Sequence, residues 1–293
     1  MKQNHTQALK PHTTRAIRSL RTSHTVIESS VSYSYIASHH RKIHILSFLC
    51  EMSDQPETLD EIVFKIFTHL HKNLMNKQNL IKFSVSDDLA KSGIKVTMAV
   101  ISVTQVSKRR GSELEKKIKD TIQVIDVNLL LSSKVLEAYQ EYYKNVGIEG
   151  MTPAEHLLKL VERSKMLPNI NKVVDCYNLV SLETLLSIGA HDLAHIKGNI
   201  EFRYTDGTEK YTPLGKSEPE KVVKGEYACI DEEKILCRMD IKQCDETKVC
   251  FETREFIVYV QGNKETSQEY IQEVLLKVCE NIKNYCEGSY EIL

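Results

Sequence analysis

The alternating run IKVTMAVISVTQV, residues 94–106, limits the fold more than any other stretch. Apolar and β-branched side chains recur at every second position, the period of a strand whose two faces meet different surroundings. LIKFSVS, residues 80–86, has the same character, and Gly93 marks a turn between the two. After residue 106 the period changes. Residues 112–130 and 132–146 read as helices, with Ser112 and Ser132 or Ser133 as caps and Gly147 as a stop. TPAEHLLKLVERSKML places Thr152 as a cap, Pro153 in the first turn and Glu155 where it closes a capping box, with Pro168 as the limit. NKVVDCYNLVSLETLLS is the next helix. Val173, Tyr177, Val180 or Ser181 and Thr184 form one stripe, with Val174, Asn178 and Leu182 beside it. The last third returns to short strands, NIEFRY, EYACI, KILCRM and EFIVYVQ, with the turn-like DGT, GKSEP and DEE between or beside them. A final helix is expected over 266–286, with Tyr270, Val274, Leu275, Val278 and Ile282 on its apolar stripe. Helices gathered between two groups of strands predict an α+β domain, not alternating βαβ units.

Residues 1–51 stand apart. They are rich in Ser, Thr, His and Arg, without a sustained period. Three readings stay open: a disordered tail, a transit-like presequence around RAIRSLRTSHTVIESS, or translated sequence upstream of a start at Met52. From Pro56, ETLDEIVFKIFTHLHKNL spaces Ile62, Ile66, His69 or Leu70 and Leu74 as one helix face. No apolar run approaches the roughly 20 residues a bilayer needs, so a soluble cytoplasmic chain is expected. The eight cysteines include no CxxC pair, which fits free buried thiols better than a zinc site. The net charge of −1 hides an asymmetry: residues 1–51 are basic and the remainder is mildly acidic. A nucleic-acid binder of this composition needs a local basic patch.

Phosphate-loop, dinucleotide, HExxH and GxSxG motifs are missing, and no cofactor or metal is expected. His191 and His195 are four apart, but they straddle an expected helix-to-strand turn and have no third ligand. Asp192 either holds that turn through nearby N–H groups or orders a pocket wall. Asn178, between Tyr177 and Leu179, is an amide that needs partners for both its oxygen and its nitrogen. Those partners are backbone groups or a ligand's ester and amine. Tyr177 is either core or a ligand contact. Arg238, Lys242, Thr247 and Lys248 lie in CRMDIKQCDETKV, read as a loop over the sheet. They either meet phosphates or pair with Asp240, Asp245 and Glu246.

VVDCYNLVSLETLLSIGAHDLAHIKGNIEFRYTDGTEKYTPLG resembles the B3/B4 domain of the phenylalanyl-tRNA synthetase beta subunit, and still more the free-standing B3/B4-domain proteins of bacteria and archaea. Asn171, Val174–Leu182, Gly189–Leu193, Pro213–Gly215, Gly225–Glu226, Cys237–Arg238 and Thr247–Lys248 follow the family's order, and the similarity runs over about residues 75–287. The resemblance implies that residues 52–293 form a single domain, three-layered, with a β-sandwich core and flanking helices. It implies tRNA or aminoacyl-tRNA as partner, with a small amino acid as the alternative ligand. In the synthetase this domain removes tyrosine wrongly attached to the tRNA for phenylalanine, using a Thr-Asn pair, a His and a Glu. Here the Asn is Asn178 and the Thr is Tyr177. The His position falls on Gly189, with His191 two residues later, and the Glu position falls near Tyr259. The expected site therefore places Asn178 on the amino acid and lets the ester approach at Gly189. Backbone N–H groups at Gly189 and Ala190 face the oxyanion, His191 serves as base, and Asp192 and Tyr259 stand at the border. Arg238, Lys242, Thr247 and Lys248 are expected on RNA. Deacylation in trans, non-catalytic binding, and a protein-interaction domain with a vestigial pocket remain the alternatives; a complete tRNA ligase is not implied.

Overall fold

The computed structural model describes residues 81–147 and 150–293, all within one compact unit, His69–Leu293. The helix expected at 57–74 and the three readings of residues 1–51 lie outside the described residues. In chain order the elements are β1 (Phe83–Val85), α1 (Asp87–Lys91), β2 (Lys95–Val103), α2 (Ser112–Val124), α3 (Val127–Leu131), α4 (Lys134–Asn145), α5 (Pro153–Ser164), α6 (Lys172–Thr184), β3 (Ser187–Asp192), β4 (Ile200–Tyr204), β5 (Tyr227–Ile230), β6 (Ile235–Arg238), β7 (Lys242–Gln243), β8 (Glu255–Gly262), α7 (Gln268–Cys286) and β9 (Gly288–Ile292). One sheet runs β3-β8-β2-β9, antiparallel throughout. The other runs β1-β4-β5-β6-β7, with β1 parallel to β4.

The alternation in β2 sorts its side chains between two cores. Ala99, Ile101 and Val103 pack with α6 and α7 residues such as Leu179, Val278 and Ile282. Val96, Met98 and Val100 face the second sheet and pack with Phe202, Tyr227 and Cys229. β8 divides the same way: Phe256, Val258 and Val260 toward the helices, Ile257 and Tyr259 toward the other sheet. Both strands are thus buried on both faces, and the molecule is α+β, with helices on one sheet and that sheet on the second. No helix among the described residues is long and apolar enough to cross a membrane.

Local capping explains most boundaries. Thr152 Oγ1 accepts the N–H of Glu155 at 3.0 Å, Asn171 Oδ1 that of Val174 at 3.0 Å and Ser133 Oγ that of Leu136 at 3.3 Å. Several expectations need correction. The 112–130 helix breaks after Val124, because Asp126 caps a new turn through the N–H of Leu129 at 3.1 Å; the residue before Ser112, Gly111, takes the cap position. Glu155 does not close the box: its carboxylate takes Gln140 at 3.0 Å and Lys159 at 2.8 Å instead. Ile271, not Tyr270, sits on the buried stripe of α7, and the unforeseen β9 extends the sheet beyond β2. CRMDIKQ, read as a loop over the sheet, is a tight hairpin between β6 and β7: Met239 and Asp240 are left-handed, and the N–H of Ile241 bonds the carbonyl of Arg238 at 3.2 Å.

Removing the ring of Phe256, which fills the helix-side core opposite Ile101, is expected to cost about 3–5 kcal/mol of stability in Phe256→Ala. Urea unfolding of both chains measures it.

Candidate functional site

The segment Gly189–Ala190–His191–Asp192 is the end of strand β3, not a turn, because each residue has a partner on β8: Gly189 opposite Tyr259 and His191 opposite Ile257. Side chains of a strand alternate. Ile188 and Ala190 therefore point into the helix-side core with Tyr177, while Gly189 and His191 turn toward the second sheet. Gly189 does not open a space for substrate there. A Cβ on it would lie 2.8 Å from Cε1 of Tyr259 and closer still to the phenol end of the ring. The glycine is needed because Tyr259 lies across it.

His191 is 1% exposed. Its Nδ1 lies 2.9 Å from Thr247 Oγ1, and its ring stacks on Tyr259 with centroids 5.8 Å apart. Nε2 is buried without a hydrogen-bond partner among the described residues. Burial pushes the imidazole pKa down to about 3, so the ring is neutral near pH 7. His195 is exposed, so the two histidines do not converge. Asp192 accepts the N–H of Ala194 at 2.9 Å and the hydroxyl of Thr253 at 2.5 Å, which is the turn-holding role. Residues 247–253 thus form a strap whose two threonines grip His191 and Asp192.

On α6, Tyr177 is buried in the helix-side core. Asn178 is half-buried beside Val174, and its side-chain amide bonds no described residue. The helix packs on the Ile188 and Ala190 face of the sheet, and the ring of Tyr259 fills the space beyond Gly189. The Tyr259 ring thus takes the sandwich-side space at Gly189 in which the ester was expected.

Of the residues expected on RNA, Arg238 is 4% exposed. Its guanidinium is forked onto Glu226, with Nε 2.9 Å and Nη2 2.8 and 2.6 Å from the carboxylate, and it lies 5.1 Å from the centre of the Tyr211 ring. Thr247 is buried on His191. Only Lys242 and Lys248 are exposed, and Lys248 is 2.7 Å from Asp245.

The sequence reading missed a polar cluster at the other end of the sandwich. Asp240, on the left-handed hairpin turn, accepts hydroxyls from Tyr143 at 2.6 Å and from Tyr227. Gln261 Nε2 donates to the same carboxylate at 3.2 Å and to Tyr227 Oη at 3.1 Å, and Tyr139 donates to the Gln261 carbonyl. Ser187 Oγ is buried nearby without a partner among the described residues. Burial pushes the Asp240 carboxyl up to about 6, although its hydrogen bonds favour the ionised form. The spacing of Tyr139, Tyr142 and Tyr143 on one helix face was the available signal; their meeting with Asp240 depends on the hairpin.

The B3/4 domain family model matches residues 137–286, from within α4 to the end of α7. The chain belongs to the B3/4 domain family. The matched span contains His191, Tyr259, the strap and Asp240 with its partners. Among solved structures, an N-terminal fragment of the phenylalanyl-tRNA synthetase beta subunit from Pyrococcus horikoshii is similar at 16% identity, with a TM-score of 0.39, over 72% of this chain and 50% of the fragment. No curated protein sequence matches. The chain thus spans half the length of the synthetase fragment it resembles.

Two measurements test this geometry. Gly189→Ala is expected to destabilise by about 1–3 kcal/mol, and much less in a Tyr259→Ala background, because the penalty arises from that ring. Asp240 has a folded pKa above its unfolded value, so ionisation opposes folding and stability falls as pH rises from about 4 to about 6. Asn tolerates the left-handed turn, and Asp240→Asn is expected to flatten that fall, as read by urea unfolding across this pH range.

Proposed function

We propose that this chain is a B3/4 domain that binds tRNA or the charged end of aminoacyl-tRNA, and that it does not hydrolyse the ester through His191. Family membership and the ordered motifs from Asn171 to Lys248 support the RNA partner. One observation carries the choice of binding over hydrolysis: the sandwich-facing side of β3 is closed. A general base must come within hydrogen-bond reach of the water it activates. His191 has one nitrogen on Thr247 and the other buried, and Tyr259 occupies the place at Gly189 where an ester would approach. Neither the Thr nor the Glu of the synthetase pocket is present, with Tyr177 and Tyr259 at those positions.

A second reading is favoured by Asp240. A half-buried carboxylate with a pKa of about 6, bordered by phenols and an amide, has the acidity of a general base, and it would make the deacylase form run through a different centre. A screen of mischarged tRNAs separates the readings. The expected outcome is saturable binding with no amino-acid release above the uncatalysed rate. Release abolished by Asp240→Asn selects the second reading; release abolished by His191→Gln defeats the first.

A further inference from the structure

Three segments distant in sequence meet at the start of α6, outside the strap that covers His191. The N–H of Lys172 bonds the carbonyl of Ser107 at 2.7 Å. Lys108 Nζ donates to the carbonyls of Asn169 and Ile170 at 2.6 and 3.2 Å. Asn171 Nδ2 donates to the carbonyl of Val249 at 3.1 Å, and Arg254 Nη1 folds back onto the carbonyls of Phe251 and Thr253, each at 2.8 Å. Residues 107–109, 169–172 and 248–254 are therefore one surface.

That surface is strongly basic in a chain whose net charge is −1. It carries Lys108, Arg109, Lys172, Lys248 and Arg254 against the acid Glu252. Lys248 is paired with Asp245. Among the described residues, Lys108, Arg109, Lys172 and Arg254 have no carboxylate within ion-pair distance. The ammonium and guanidinium groups of Lys108, Lys172 and Arg254 are held by main-chain carbonyls, which fix their positions without cancelling their charge. By contrast, Arg203, Lys234 and Arg238 on the second sheet are each neutralised by a close carboxylate. Within the same patch Phe251 and Ile170 are each 51% exposed.

An open aromatic ring among cations that lack an ion-pair partner matches two features that single-stranded RNA presents together, phosphates along the backbone and unpaired base faces. A duplex offers the phosphates but keeps its bases stacked. We propose that the patch formed by Lys108, Arg109, Lys172, Phe251 and Arg254 docks a single-stranded RNA end, with a base on Phe251 and phosphates on the cations. The proposal rests on the tRNA-binding reading and makes that end the acceptor end of the tRNA. The strap places such an end on the outside of the wall whose inner side is His191 and Asp192.

Fluorescence anisotropy of the full chain with bulk tRNA, a short single-stranded CCA-ended oligonucleotide and a blunt duplex tests it. Arg109, whose guanidinium bonds no described residue, is a safe site for charge removal. Arg109→Ala is expected to weaken tRNA binding and to reduce the slope of log K against log salt by about 0.7. Phe251→Ala is expected to weaken the single strand about ten-fold and leave the duplex unchanged. Lys221→Glu, an exposed lysine in the excursion between β4 and β5, is the control and is expected to bind as the parent chain does. If Arg109→Ala and Phe251→Ala bind normally while Lys221→Glu is impaired, the patch is wrong and the tRNA reading stands. If the parent chain, with a normal thermal melt, binds no tRNA at low salt, that reading fails and takes the docking surface with it.

Discussion

The pair of strands β2 and β8, buried on both faces, governs the rest of the described structure. Eight consecutive residue pairs lock them, from Lys95 opposite Gly262 to Ser102 opposite Glu255. A shift of either strand by one residue would exchange all of that strand's side chains between the helix-side core and the sandwich. Were β8 to slip against β2, Phe256 would face the second sheet and Tyr259 the helices. Fixing that register also fixes β3, which pairs with the other edge of β8, and so brings the ring of Tyr259 over Gly189. The closure of the expected pocket is a consequence of the central pairing.

Much of this was legible in the sequence where the cause is local. The alternation of β2 and β8, the caps at Ser133, Thr152 and Asn171, and the turn at Gly93 each rest on a few neighbouring residues. The family resemblance, carried by ordered motifs, agreed with the domain that the residues build. What escaped depends on partners far along the chain. GAHD lacks β-branched residues and reads as a turn until β8 pairs with it. Arg238 looks available to phosphates until the β5–β6 register sets it beside Glu226. Thr247 looks like a surface hydroxyl until it meets His191 across 56 residues. Residue types at the site could be read, but burial and pairing could not.

Charge follows the same division. The overall balance near neutrality arises from segments of opposite character, and what matters physically is whether each cation is cancelled within a few ångströms. Salt screens exposed charges over roughly 8 Å at physiological ionic strength, so distant acids on the same chain do little to mute a cluster of unpaired cations. The second sheet buries the pairs Lys234–Asp231 and Arg238–Glu226, and Asp240 shows the cost of burying a carboxylate among phenols without a cation beside it.

Residues 247–253 carry one further consequence. Their inner anchors are hydroxyl contacts to His191 and Asp192 and the Val249 carbonyl on Asn171, while Lys248, Phe251 and Glu252 face solvent, so the segment links the interior to the surface. Any change that tilts it from within must also alter what it offers outside, and the coupling runs equally in the other direction. A ligand preference at the exterior can then be retuned by substitutions that no ligand ever touches.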